Sequence, residues 1–140
     1  MSEVIFTAQA QAKGGREGHV NSDNGVIDLN LAMPKGDQSP ADATNPEQLF
    51  AAGYAACFDG ALNLVAQNAE KEIDSQVTGE VSLLKDPADD GFKIGVTLHV
   101  DVDGVSQQDA EELVEKAHKV CPYSKATSGN IEVNFKVSGE

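Results

Sequence analysis

The chain has no tryptophan and only two cysteines in 140 residues. Two cysteines are too few for the disulfide framework of a small secreted domain, and a reducing cytosol disfavours even one permanent bridge. Basic residues are scarce as well. Ten Lys and Arg stand against 23 Asp and Glu, a formal net charge of −13, and the ten do not cluster. A chain so acidic repels nucleic acid and anionic membrane surfaces, so neither is expected as a partner. No apolar run reaches the length of about 18 residues that a membrane helix needs. The opening stretch MSEVIFTAQAQAKGG has no basic leader before an apolar segment, so a secretory signal is not expected and a cytoplasmic protein is. Neither G-x-S-x-G nor a phosphate-cradling glycine loop occurs.

What is present is an ordinary globular balance, 40% apolar and 24% charged. The length favours one domain over residues 1–140, large enough to bury roughly 70% of its unfolded surface. Alternation in EVIFTAQAQA puts Val4, Phe6, Ala8 and Ala10 on one face of a first strand. HVNSDNGVIDLNLA predicts two strands joined at Asp23-Asn24-Gly25, where Asn-Gly supplies the positive φ angles of a tight hairpin. A polar loop follows over residues 34–44. The first helix is expected from Thr44 or Asn45 to about Ala69, with Pro46 in its first turn. Between Leu49 and Ala66 only Asp59 and Asn63 are strongly polar, so this helix belongs inside the structure. QVTGEVSLLKD and FKIGVTLHVDV read as strands around a turn at Pro87–Gly91, with Phe92, Ile94, Val96, Leu98, Val100 and Val102 on one face. Ser106 and Asp109 start an amphipathic second helix with the stripe Ala110, Leu113, Val114, Ala117 and Val120. Pro122 ends it, and NIEVNFKV is the last strand. Strands, helix, strands, helix and strand make an α+β protein.

Cys57 sits about three turns into the first helix, beyond the reach of the helix dipole. A free thiol with a pKa near 8.5 is only about 3% thiolate at neutral pH, and burial lowers that fraction. Taken alone it suits an inert core position. Two features point the other way. Arg16 lies in the glycine-rich Gly14-Gly15-Arg16-Glu17-Gly18, whose flexibility would let a long side chain turn inward. A guanidinium about 4 Å from a thiolate is worth roughly 4 kcal/mol at an effective dielectric of about 20, some three pKa units. Glu47 is ten residues before Cys57, about 15 Å along a helix, too far to touch it but placed to steer such a cation. The second feature is Cys121 at a helix end, a thiol able to condense with a sulfenic acid before over-oxidation. Glu47 suits a plain capping role, Arg16 a solvated one, and Cys121 a small apolar terminus equally well. His118 and Cys121 share a helix face, but three His and two Cys without a compact cluster fall short of the four ligands of a structural zinc, so no metal is expected.

The stretches GGREG, NPEQLFAAGYAACF and HKVCPYSKATSGNIEV, in this order over essentially the whole chain, resemble the Ohr branch of the Ohr/OsmC family, the organic hydroperoxide resistance proteins. The resemblance implies an OsmC-like fold, with antiparallel sheets wrapped around central helices in an intertwined homodimer. It implies a thiol peroxidase that reduces organic hydroperoxides, fatty-acid hydroperoxides among them, to alcohols. In that reading Cys57 is the peroxidatic nucleophile, Cys121 the resolving thiol, Arg16 the thiolate-stabilising cation and Glu47 the carboxylate that positions it. No cofactor is bound; an external dithiol, dihydrolipoamide or a lipoylated protein, reopens the disulfide. Phe50, Tyr54, Phe92 and Tyr123 would contribute to an apolar substrate mouth, and each suits the core as well. The other readings of the cysteine pair are a redox-responsive or small-ligand binding module without turnover, and a structural dimer with inert cysteines.

Overall fold

In a computed structural model, residues 2–36 and 38–140 are described; Met1 and Asp37, the latter in the loop expected over 34–44, lie outside the described residues. The chain divides into two units, residues 1–46 and 47–140.

The first unit is a small antiparallel sheet of β1 (Ala10–Lys13), β2 (His19–Ser22) and β3 (Asp28–Asn30), in that order. Its first strand is shorter than the alternation of EVIFTAQAQA predicts. Residues 2–9 pair with no strand, and Val4, Ile5 and Phe6 are exposed. Apolar alternation marks a surface that wants covering; it does not supply the neighbouring strand. The β2–β3 turn also departs from the expected two-residue hairpin. Only Gly25 has positive φ, at 75°. Ser22 N–H donates to Ile27 C=O at 2.8 Å, which closes a four-residue loop. Inside it the Asn24 Oδ1 accepts from Ser22 Oγ at 2.7 Å and Val26 N–H at 3.1 Å, so Asn24 organises the loop through its side chain. The polar loop after β3 is clipped at its base, where Thr44 N–H donates to Asn30 C=O and Ala32 N–H to Thr44 C=O.

The second unit begins with α1 (Pro46–Asn68) and continues through β4 (Asp74–Asp86), β5 (Gly91–Asp103), α2 (Gln107–Val120), α3 (Pro122–Thr127) and β6 (Val133–Gly139). β4 and β5 pair antiparallel from Asp74↔Asp103 to Asp86↔Gly91. β6 returns parallel to β5, from Val96↔Val133 to Val102↔Gly139, so this sheet is mixed where an antiparallel one was expected. The parallel return follows from the crossover through α2 and α3, long enough to carry the chain back to the starting end of the sheet.

One face of this sheet is covered by helices. Val96, Leu98, Val100 and Val102 of β5 are buried with Phe58, Leu62 and Ala66 of α1 and Ala110, Leu113, Val114 and Ala117 of α2. Both amphipathic readings therefore hold in the middle and fail at the ends: Phe92 is 70% exposed at the hairpin end of β5, and Val120 is exposed at the end of α2. Ser106 caps α2, its Oγ accepting from Asp109 N–H at 3.1 Å.

By length and composition alone the 23 residues of α1 are long and apolar enough to cross a membrane, a test that a buried core helix passes as well. α1 requires one correction: it is not buried all round. Tyr54, Phe58, Ala61, Leu62, Val65 and Ala66 face the core, while Ala52, Ala56, Gly60 and Leu64 form an exposed strip at i, i+4 spacing.

Candidate active site

Tertiary packing brings the two cysteines together across 64 residues of chain. Cys121 Sγ lies 3.4 Å from Cys57 Sγ, both as free thiols. Cys57 is half-buried in mid-α1, and Cys121 is fully buried. Cys121 is the single residue between α2 and α3, with extended backbone (φ −64°, ψ 122°). Pro122 explains this geometry in both directions: it keeps the preceding residue out of helical conformation and then starts the next helix. The sequence reading took Pro122 only as a stop and missed α3.

α3 changes the chemistry at Cys57. The first N–H groups of a helix have no partner within it. One of them, the backbone N–H of Tyr123, donates to the Cys57 sulfur. The net effect of the surroundings is to push the Cys57 thiol up from its ordinary pKa. Burial is the largest cause, the Tyr123 N–H opposes it, and the neighbouring Cys121 adds to the rise.

Phe50, Tyr54 and Tyr123 form a ring cluster with centroids 5.7 to 6.1 Å apart. Tyr123 lies directly over Gly53: a Cβ there would stand 2.7 Å from the Tyr123 hydroxyl and 3.2 Å from its ring. Three of the four aromatic residues expected at a substrate mouth thus meet. Phe92 does not join them; it lies six residues along β5 from Leu98, about 20 Å of strand. Tyr54 has no exposed surface, and its hydroxyl is bonded to Ser124 Oγ at 2.7 Å. Asp59, the polar residue just after Cys57, ties α1 to β4: its Oδ1 accepts from Ser75 Oγ at 2.6 Å and from Asn63 Nδ2 at 3.3 Å.

Arg16 belongs to the first unit. It occupies a single helical turn, Gly15–Glu17, where one guanidinium nitrogen lies 4.0 Å from Met33 Sδ and Glu17 accepts from Met33 N–H at 3.2 Å. The glycines here serve geometry instead of looseness. Gly14 has φ 83°, and a Cβ on Gly18 would lie 1.8 Å from Lys13 C=O. Glu47 is half-buried in the first turn of α1. Among the described residues no group of three or more His, Cys, Asp and Glu is placed to hold a metal, and His118 turns its ring edge-on to Phe135 at 4.9 Å.

Comparison with known proteins places this geometry in a family. The model for OsmC-like proteins matches residues 36–136. Organic hydroperoxide resistance protein OhrA of Bacillus subtilis is 57% identical over 140 residues, covering 99% of each chain. The chain belongs to the organic hydroperoxide resistance branch of the OsmC-like family. OhrB of the same organism is 54% identical over 134 residues, covering 96% of this chain and 98% of its own. The crystal structure of that OhrB superposes with a TM-score of 0.91 at 53% identity, over 96% of this chain and all of the other. The family membership and the α+β OsmC-like fold read from the sequence are therefore shown.

Proposed function

We propose that this protein confers resistance to organic hydroperoxides by reducing them to alcohols as a cysteine-based peroxidase. The coarser part of this reading, organic hydroperoxide resistance, is supported by the names of relatives similar over their whole length. The finer part is carried by one observation, the 3.4 Å between the two sulfurs. In this mechanism the Cys57 thiolate attacks the outer peroxide oxygen, the O–O bond breaks, and the alcohol leaves with a proton. Cys57 is left as a sulfenic acid. The Cys121 thiol then displaces water from it, closing the gap to the about 2.05 Å of a disulfide. A dithiol returns both sulfurs to thiols by exchange; a lipoyl-type dithiol, dihydrolipoamide or a lipoylated protein, fills this role.

Burial pushes the Cys57 thiol up, so the first step is helped by positive charge nearby. Arg16 is proposed to supply it, with Glu47 orienting the guanidinium. Phe50 and Tyr123 are the proposed apolar contacts for the alkyl group. The protein is proposed to act as a cytoplasmic homodimer. The exposed strip Ala52, Ala56, Gly60 and Leu64, with exposed Val4, Ile5 and Phe6, supports a second copy as the covering surface.

The test is hydroperoxide consumption by catalytic protein supplied with dihydrolipoamide. Cys57→Ser is expected to abolish it; normal turnover in that variant refutes the nucleophile. Cys121→Ser is expected to react once and then over-oxidise to the sulfinic acid; sustained cycling at the wild-type rate refutes the resolver. One observation favours a second reading, a redox-responsive module without turnover: Cys121 is fully buried, and burial pushes the Cys57 thiol up from its ordinary pKa. One oxidation per chain, with no further loss of hydroperoxide when dithiol is in excess, would select it.

A further inference from the structure

Neither sulfur is held in place by its own side chain alone. Cys121 is the hinge between α2 and α3, and the N–H that reaches Cys57 belongs to the second residue of α3. The orientation of this six-residue helix thus sets two distances at once. A helix so short has no stability of its own, so something else must fix it.

A buried hydroxyl cluster occupies that place. Tyr54 Oη lies 2.7 Å from Ser124 Oγ and 3.3 Å from Thr127 Oγ1, and Thr127 Oγ1 also donates to Ser124 C=O at 3.2 Å. Tyr54 and Ser124 have no exposed surface and Thr127 has 5%. A phenol hydroxyl both donates and accepts, so it satisfies both contacts. Tyr54 is three residues before Cys57, one turn along the same helix. The segment that carries the nucleophile therefore also grips α3, and the grip lies beside the sulfurs.

We propose that Tyr54, acting through Ser124, is a positioning residue that locks α3 so that the Cys121 thiol and the Tyr123 N–H both stay on the Cys57 sulfur. The lock governs two measurable things. One is how easily Cys57 ionises, because the Tyr123 N–H favours the thiolate. The other is the fate of the sulfenic acid. Condensation with Cys121 gives a disulfide and water; attack on a second hydroperoxide gives a sulfinic acid and an alcohol. The second point rests on the peroxidase reading, and the first does not.

Tyr54→Phe keeps the ring and removes the hydroxyl; Ser124→Ala removes the other partner. The pH profile of iodoacetamide labelling at Cys57, read in a Cys121→Ser background, is expected to move to higher pH in both. With Cys121 present, mass spectrometry after a small excess of cumene hydroperoxide is expected to find sulfinic Cys57 increased about tenfold, since displacing a reacting group by about 1 Å costs up to a hundredfold in rate. Val100→Ala, a core deletion with no hydroxyl contact, is expected to lower the melting temperature yet leave both readouts at wild-type values. Ser124→Thr, which keeps the hydroxyl, is expected to restore the partition. Wild-type labelling and partition in both Tyr54→Phe and Ser124→Ala would overturn the proposal, as would the same shifts in Val100→Ala. If the wild-type protein consumed no hydroperoxide, the peroxidase reading would fail while the labelling profile still decided the role of Tyr54.

Discussion

The two units treat their apolar residues in opposite ways. In the second, Phe58, Leu62, Leu98, Val100 and Val102 have no exposed surface, and helices cover the middle of the sheet. In the first, Val4, Ile5, Phe6, Val26 and Leu29 are exposed, and Leu31 is the buried large hydrophobe among the described residues. A three-stranded sheet of short strands has too little surface to enclose a core of its own. The contrast bears on function. The two sulfurs sit where packing fixes positions closely. The proposed cation, Arg16, sits in the unit whose own packing fixes little. Two histidines repeat the contrast: the hydrogen bonds that His19 in the first unit donates to the oxygens of Asn30 and Asp28 push it up, while burial pushes His118 in the second down.

Core substitutions give the largest test of this difference. Leu98→Ala is expected to cost about 2–5 kcal/mol of stability in urea unfolding. Leu29→Ala in the first unit is expected to cost less than about 1 kcal/mol, as an exposed site does. Equal losses would erase the distinction. Arg16→Leu comes next. It is expected to leave the urea midpoint near wild type and to slow neutral-pH labelling of Cys57 by about tenfold for each pKa unit of lost thiolate stabilisation. An unchanged labelling rate would remove Arg16 from the site.

The smallest effects are those of pH, and their signs oppose. Burial pushes the His118 pKa down, its Nδ1 having no hydrogen-bond partner among the described residues, so its folded pKa lies below the unfolded value of about 6.5. Its stability contribution is present above that value and is lost as pH falls below it. His19 has the raised value, so its contribution is full below about 6.5 and is lost as pH rises through its folded pKa. His118→Phe is expected to flatten the acid side of the stability profile and His19→Gln the alkaline side. A flattening on the other side in either variant would reverse the assignment.

Most of the second unit is legible in the sequence because its patterns are local. Ser106 and Asp109 mark the start of α2, and alternation from Val96 to Val102 marks the buried face of β5. The misreadings have physical causes. Alternation at Val4 and Phe6 reports a surface to be covered and cannot say by what. Glycines around Arg16 suggest looseness and prove to build a tight turn. Phe92 continues a buried alternation past the point where the helices stop covering the sheet. Pro122 ends one helix and opens another, and from the sequence only the first was read.

By itself the sequence determined the family, the helix and strand content of the second unit and the two residues able to do sulfur chemistry, because caps, periodicity and long motifs are properties of neighbours along the chain. Tertiary structure alone decided that the two sulfurs stand 3.4 Å apart, that a backbone N–H of α3 reaches the first of them, and that Tyr54 grips Ser124. Each of those facts joins residues more than 60 positions apart, and only the packing of α1 against the α2–α3 junction brings them within reach.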